Sequence, residues 1–61
     1  MDLDQFKAFL KKEAITAVRE ASHPHVSFYK NDIFLAIVPE KMIAEGYTKI
    51  AALLEKRLTD V

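Results

Sequence analysis

The thirteen residues from Val26 to Val38, VSFYKNDIFLAIV, decide the fold of this chain because they predict a β-hairpin with two largely apolar faces. Asn31 and Asp32 suit a tight two-residue turn, since both residue types tolerate positive φ angles. Side chains alternate between the two faces of a strand. With this turn, one predicted face carries Val26, Phe28, Ile33, Leu35 and Ile37, and the other carries Ser27, Tyr29, Phe34, Ala36 and Val38.

Apolar residues at helical spacing predict a helix on each side of this hairpin. The first helix spans residues 3 to 21, with Asp2 as its N-cap and Gln5 completing a capping box. The second begins at Pro39 and runs to about residue 58. Gly46 leaves a break in the second helix open, but the apolar positions keep one phase across it. This phase favours a continuous helix, in which the glycine allows close backbone approach.

The order α-β-β-α predicts one α+β domain over residues 1–61, with two helices packed on one face of the hairpin, namely the first face, which forms the core. A chain of this length has a small core and a thin stability margin. Because cysteine is absent, disulfides and thiolate metal sites are excluded. We therefore expect a homodimer that completes the fold, either by joining hairpin edges or by stacking hairpin faces.

Charge and hydropathy narrow the functional classes. Nine basic and nine acidic residues cancel, whereas a dedicated nucleic-acid binder usually carries net positive charge or a basic stripe. The sequence has no apolar run of membrane-spanning length, and Asp2 and Asp4 are unlike the start of a secretory leader. The absence of cysteine fits a reducing compartment. We expect a cytoplasmic protein that does not bind membranes.

Catalytic and metal chemistry have little basis in the sequence. His23 and His25 flank a proline and could supply two ligands, but zinc requires three or four. The serine, histidine and aspartate residues do not have the spacing of a known nucleophilic arrangement. The single glycine excludes a glycine-rich phosphate loop. We predict no enzymatic activity, no metal and no cofactor.

An apolar surface left over after the core is built predicts a protein interface. Tyr29 and Phe34 form a cross-strand aromatic pair on the second hairpin face, and contiguous apolar patches mark interaction sites. Two apolar residues lie off the main stripe of the first helix and add to this surface. The predicted interface comprises Tyr29, Phe34, Ala36, Val38, Phe9 and Ile15. The leading hypothesis is a small protein-interaction module, namely a regulator, adaptor or inhibitor, that acts as a homodimer.

The alternative hypothesis is a nucleic-acid-binding regulator. Lys11, Lys12 and Arg19 are predicted on the first helix, and Lys30 at the tip of the hairpin. In a dimer these cations could join into a phosphate-binding surface, with Tyr29 and Phe34 as stacking platforms. Salt distinguishes the two hypotheses, because phosphate binding weakens steeply as salt rises.

Overall fold

A three-stranded antiparallel sheet with helices packed on one face forms the protein. The computed structural model describes residues 1–19, 22 and 24–60. Its elements are α1 (Leu3–Lys12), β1 (Ile15–Arg19), β2 (His25–Lys30), β3 (Ile33–Pro39), α2 (Glu40–Glu45) and α3 (Tyr47–Thr59). The strands lie in the order β1-β2-β3. The predicted α+β class is confirmed, but the predicted α-β-β-α order is wrong because it lacks β1 and the division between α2 and α3.

The start of α1 follows the sequence prediction. The Gln5 N–H donates to Asp2 Oδ1 at 2.8 Å, and the Asp2 N–H donates to Gln5 Oε1 at 2.9 Å. This reciprocal pair is the predicted capping box, and it satisfies two backbone donors that the first helical turn leaves without partners.

The end of α1 differs from the prediction, since the helix stops at Lys12 rather than at residue 21. Ala14 adopts a positive φ of 56°, and the chain then enters β1. Ile15, Thr16 and Val18 are β-branched, which lowers helix propensity and favours a strand. β1 pairs antiparallel with β2 over five residues. It therefore supplies the third strand that a lone hairpin needs for stability.

The predicted hairpin turn is confirmed, but the register beyond it is not the predicted one. Asn31 and Asp32 have φ angles of 51° and 65°, as a two-residue turn of this hand requires. Tyr29 pairs with Phe34, but Phe28 then pairs with Ala36, so that Leu35 is an extra residue on β3. This β-bulge shifts the rest of β3 by one position and exchanges its two faces.

The bulge corrects the predicted face assignment. Ala36 and Val38, predicted on the second face, are buried in the core. Ile37, predicted in the core, is 55% exposed, and Ile33 beside the turn is 48% exposed. Leu35 is buried as predicted. Two consecutive inward residues, Leu35 and Ala36, are the signature of the bulge.

The predicted continuous second helix is wrong, because Gly46 separates α2 from α3. Its φ of 134° and ψ of 151° lie in a region that is nearly exclusive to glycine. A β-carbon at this position would meet no atom within 4 Å. The glycine is therefore required by backbone conformation and not by close approach of another element.

The core lies between the sheet and α1 and α3. The Phe6 ring meets Phe28 edge to face at 6.1 Å and stacks on Tyr47 at 5.0 Å between centroids. Ile50 and Leu54 of α3 are fully buried. The helices thus cover the middle of one side of the sheet, and the opposite side stays open.

Candidate interaction surface

The side of the sheet opposite the helices carries two rows of side chains that cross all three strands. Cross-strand partners point to the same face of an antiparallel sheet. Thr16, Tyr29 and Phe34 are partners in one row, and Val18, Ser27 and Ile37 are partners in the other. We call this surface the outer sheet face; it comprises Thr16, Val18, Ser27, Tyr29, Phe34 and Ile37.

Large apolar side chains on the outer sheet face are open to solvent. Val18 is 42% exposed, Phe34 53% and Ile37 55%. The Tyr29 and Phe34 rings meet edge to face with centroids 5.7 Å apart, so the aromatic pair is already ordered in one chain. No residue of the outer sheet face carries a formal charge. Contiguous apolar surface of this kind is typical of protein interaction sites.

The structure divides the six predicted interface residues between surface and core. Tyr29 and Phe34 lie on the outer sheet face, as the predicted pair of strands implied. Three others, Ala36, Val38 and Ile15, are buried in the core and have no part in this surface. The sixth, Phe9, is partly buried and packs against the core.

Val18 and Ile37 were missed as surface residues by the sequence prediction. The predicted first helix, which extends to residue 21, includes Val18, and the predicted hairpin register places Ile37 on the core face. The three β-branched residues Ile15, Thr16 and Val18 are the available signal for the first. The second depends on the bulge at Leu35, for which the sequence gives no local signal.

The four predicted phosphate-binding cations are spread over different elements. Arg19 belongs to β1 and pairs with Glu40 at the start of α2, so its predicted grouping with Lys12 on one helix is wrong. Lys30 lies 3.8 Å from a carboxylate oxygen of Glu13. Lys11 and Lys12 occupy the last turn of α1 and are exposed. Two of the four cations therefore already have an acidic partner.

Metal and membrane features are absent from the part of the chain that the structure describes. Among those residues, no three His, Cys, Asp or Glu side chains are grouped so that they could hold a metal ion. His25 lies on β2, and His23 of the predicted pair lies outside the described residues. None of the described helices combines the length and apolar character needed to cross a bilayer.

Comparisons of this chain with protein-family models, with curated proteins and with solved structures give no match.

Proposed function

We propose that this chain is a small non-enzymatic protein-interaction module that acts as a homodimer through the outer sheet face. The observation that carries the proposal is an uncharged sheet face opposite the helices on which Val18, Phe34 and Ile37 are exposed. Burial of apolar surface contributes roughly 25 cal/mol per Å², so covering this face is favourable. Regulators, adaptors and inhibitors are among the proteins that work through such a surface.

Stacked faces suit the second copy better than joined edges. β1 is five residues long, which leaves a short edge for pairing. β3 forms the other edge of the sheet, and the bulge at Leu35 interrupts its hydrogen-bonding pattern. Short strands and bulges are features by which proteins prevent edge-to-edge pairing. Neither the short strand nor the bulge hinders the stacking of two outer sheet faces, because stacking uses side chains and not edge hydrogen bonds.

The size of the outer sheet face sets the expected affinity. Three strands about 4.8 Å apart and about 20 Å long give a planar footprint of about 300 Å². A standard interface buries about 800 Å² of accessible surface per partner. Interfaces below the standard size are typically weak and transient, so we expect a dissociation constant of about micromolar or weaker.

Sedimentation equilibrium across about 1 µM to about 1 mM protein tests the proposal. The apparent mass should rise towards twice the 7.0 kDa chain mass. Phe34→Asp should abolish this rise, because dimerisation would bury an unpaired carboxylate. Ile33→Asp is the matched control, since Ile33 is 48% exposed on the same strand but lies outside the outer sheet face. A wild-type chain that stays monomeric at the highest concentration contradicts the proposal, as does equal loss of dimer in both variants.

The nucleic-acid alternative has less support from the arrangement of charges. Arg19 and Lys30 each face a carboxylate, which lowers the local positive potential. Lys11 and Lys12 alone offer too few phosphate contacts for tight binding. We expect no binding to duplex DNA or single-stranded RNA above ~150 mM salt. Sub-micromolar, salt-sensitive binding that is lost in a Lys11→Ala, Lys12→Ala double variant would favour the alternative instead.

A further inference from the structure

β3 contains six consecutive apolar residues, Ile33 to Val38, with the sequence IFLAIV. The run has no charged residue, no proline and no glycine, and its isoleucines, valine and phenylalanine favour a strand. Uncharged segments of six or seven residues with this composition are typical of cross-β fibrils. β3 is also an edge strand, since it pairs with β2 alone. The run therefore has both the composition and the position in the sheet from which such fibrils start.

We propose that residues 33–38 form the core of a cross-β fibril when β3 leaves its sheet, and that the partner is the same segment of further copies of this chain. This inference is independent of the proposed homodimer, because it concerns chains in which the native sheet has opened.

The regular alternation of the released segment selects an identical segment as its partner. Without the bulge, successive side chains point to opposite sides of the extended chain. One side then carries Ile33, Leu35 and Ile37, and the other carries Phe34, Ala36 and Val38. Both sides are wholly apolar, so each can pack as a dry interface between two sheets. In-register stacking places every side chain on its own counterpart about 4.8 Å away, which includes a ladder of Phe34 rings.

The folded chain keeps this segment from assembling. Leu35, Ala36 and Val38 are buried in the core, so they are not available to another copy. The bulge at Leu35 also interrupts the hydrogen-bonding pattern of β3. Asp32 and Pro39 flank the run directly, and a charge or a proline beside an apolar strand limits aggregation. Fibrils should therefore start from opened chains and not from the native fold.

A fibril assay at the midpoint of urea unfolding tests the inference, because half of the chains are then open. The wild-type chain at about 100 µM should give a lag phase followed by a rise in thioflavin T fluorescence. Fibre diffraction of the product should show reflections at about 4.8 Å and about 10 Å, the spacings between strands and between sheets.

Ile37→Lys should delay the fibrils. Ile37 is 55% exposed in the folded chain, so the substitution introduces a charge into the segment without disturbing the core. Each variant is studied at its own urea midpoint, so that the open fraction is the same. We expect a lag phase at least ~10-fold longer than that of the wild type, because a charge in such a segment opposes stacking.

Val18→Lys is the matched control. Val18 is 42% exposed and lies in the same cross-strand row of the outer sheet face as Ile37, but it belongs to β1. Both substitutions place a lysine on the outer sheet face, and only Ile37→Lys changes the segment. The lag phase of Val18→Lys should agree with that of the wild type.

Hydrogen exchange of the wild-type fibrils locates the core directly. Backbone amides of residues 33–38 should exchange slowly, because each is paired with the copies above and below it. Protection confined to other residues, such as the apolar stretch 50–54 of α3, would contradict the inference.

The other outcomes are equally decisive. A wild-type chain that forms no fibrils at its urea midpoint contradicts the inference, as does aggregate without the two reflections. Equal lag phases for Ile37→Lys and Val18→Lys mean that the segment does not drive assembly. Sedimentation in native buffer tests the homodimer separately, so a monomer there contradicts the proposed function and leaves this inference standing.

Discussion

Replacement of Gly46 by alanine tests the structure at the point where it departs most from the sequence pattern. An alanine held at a φ of 134° and a ψ of 151° costs about 1–3 kcal/mol of backbone strain. The new β-carbon meets no atom within 4 Å, so no steric cost is added. Alanine also restricts the unfolded chain, which offsets about 0.4–1 kcal/mol of this strain. The net expectation is a loss of about 1–2 kcal/mol.

Thermal unfolding followed by circular dichroism measures this loss. For a domain of this size, 1 kcal/mol corresponds to about 4–8 °C in the melting temperature, so Gly46→Ala should melt roughly 5–15 °C lower. The melts should be made at low micromolar protein, because dimerisation would stabilise both chains by mass action. Ala52→Gly, at an exposed position inside α3, is the control and should cost about 1 kcal/mol from helix propensity alone.

The direction of the change in melting temperature tests this reasoning. If residues 40–59 formed one continuous helix, alanine at position 46 would be favoured over glycine by roughly 1 kcal/mol. A higher melting temperature for Gly46→Ala would therefore mean that α2 and α3 are a single helix and that the break at Gly46 is incorrect.

Two further substitutions test local features of the fold. Asp2→Ala removes the side chain that caps α1 and should lower the free energy of unfolding, measured by urea titration, by about 0.5–2 kcal/mol. Asp4→Ala is the control; it leaves the capping box intact and should lower the free energy of unfolding by less. Asp32→Gly should raise the free energy of unfolding by about 0.5 kcal/mol, because glycine adopts the φ of 65° at this turn position more easily than aspartate does. A lower free energy of unfolding would mean that the Asp32 side chain stabilises the turn.

Features that depend on residues close in the chain could be predicted from the sequence. The capping box joins Asp2 to Gln5, and the hairpin turn depends on Asn31 and Asp32, so both are set by neighbouring residues. These local hydrogen bonds can form in any tertiary context, because their donor and acceptor groups are close together in the sequence. The same reasoning placed Tyr29 opposite Phe34, one pair beyond the turn, and the structure keeps that pair.

β1 could not be recognised in the same way because its identity depends on a distant partner. Alanines at positions 14 and 17 continue the helical stripe of α1, and Val18 lies on the same stripe although its β-branched side chain favours a strand. Pairing with β2, about ten residues further along the chain, decides in favour of the strand. Strand preference is governed largely by cross-strand packing, which a single stretch of sequence does not contain.

The bulge at Leu35 bears on the proposed interface, because the wrong register and the observed one lead to the same conclusion about the outer sheet face. Six consecutive residues of β3, Ile33 to Val38, are apolar, so either register leaves apolar side chains on both faces of this strand. A continuous apolar run is the pattern of a strand buried on both sides, whereas a strand with one face in water alternates between apolar and polar residues. Here α3 covers one side of β3, and nothing in the described chain covers the other. The composition of β3 is therefore that of a strand with a second cover, which is what the homodimer would supply.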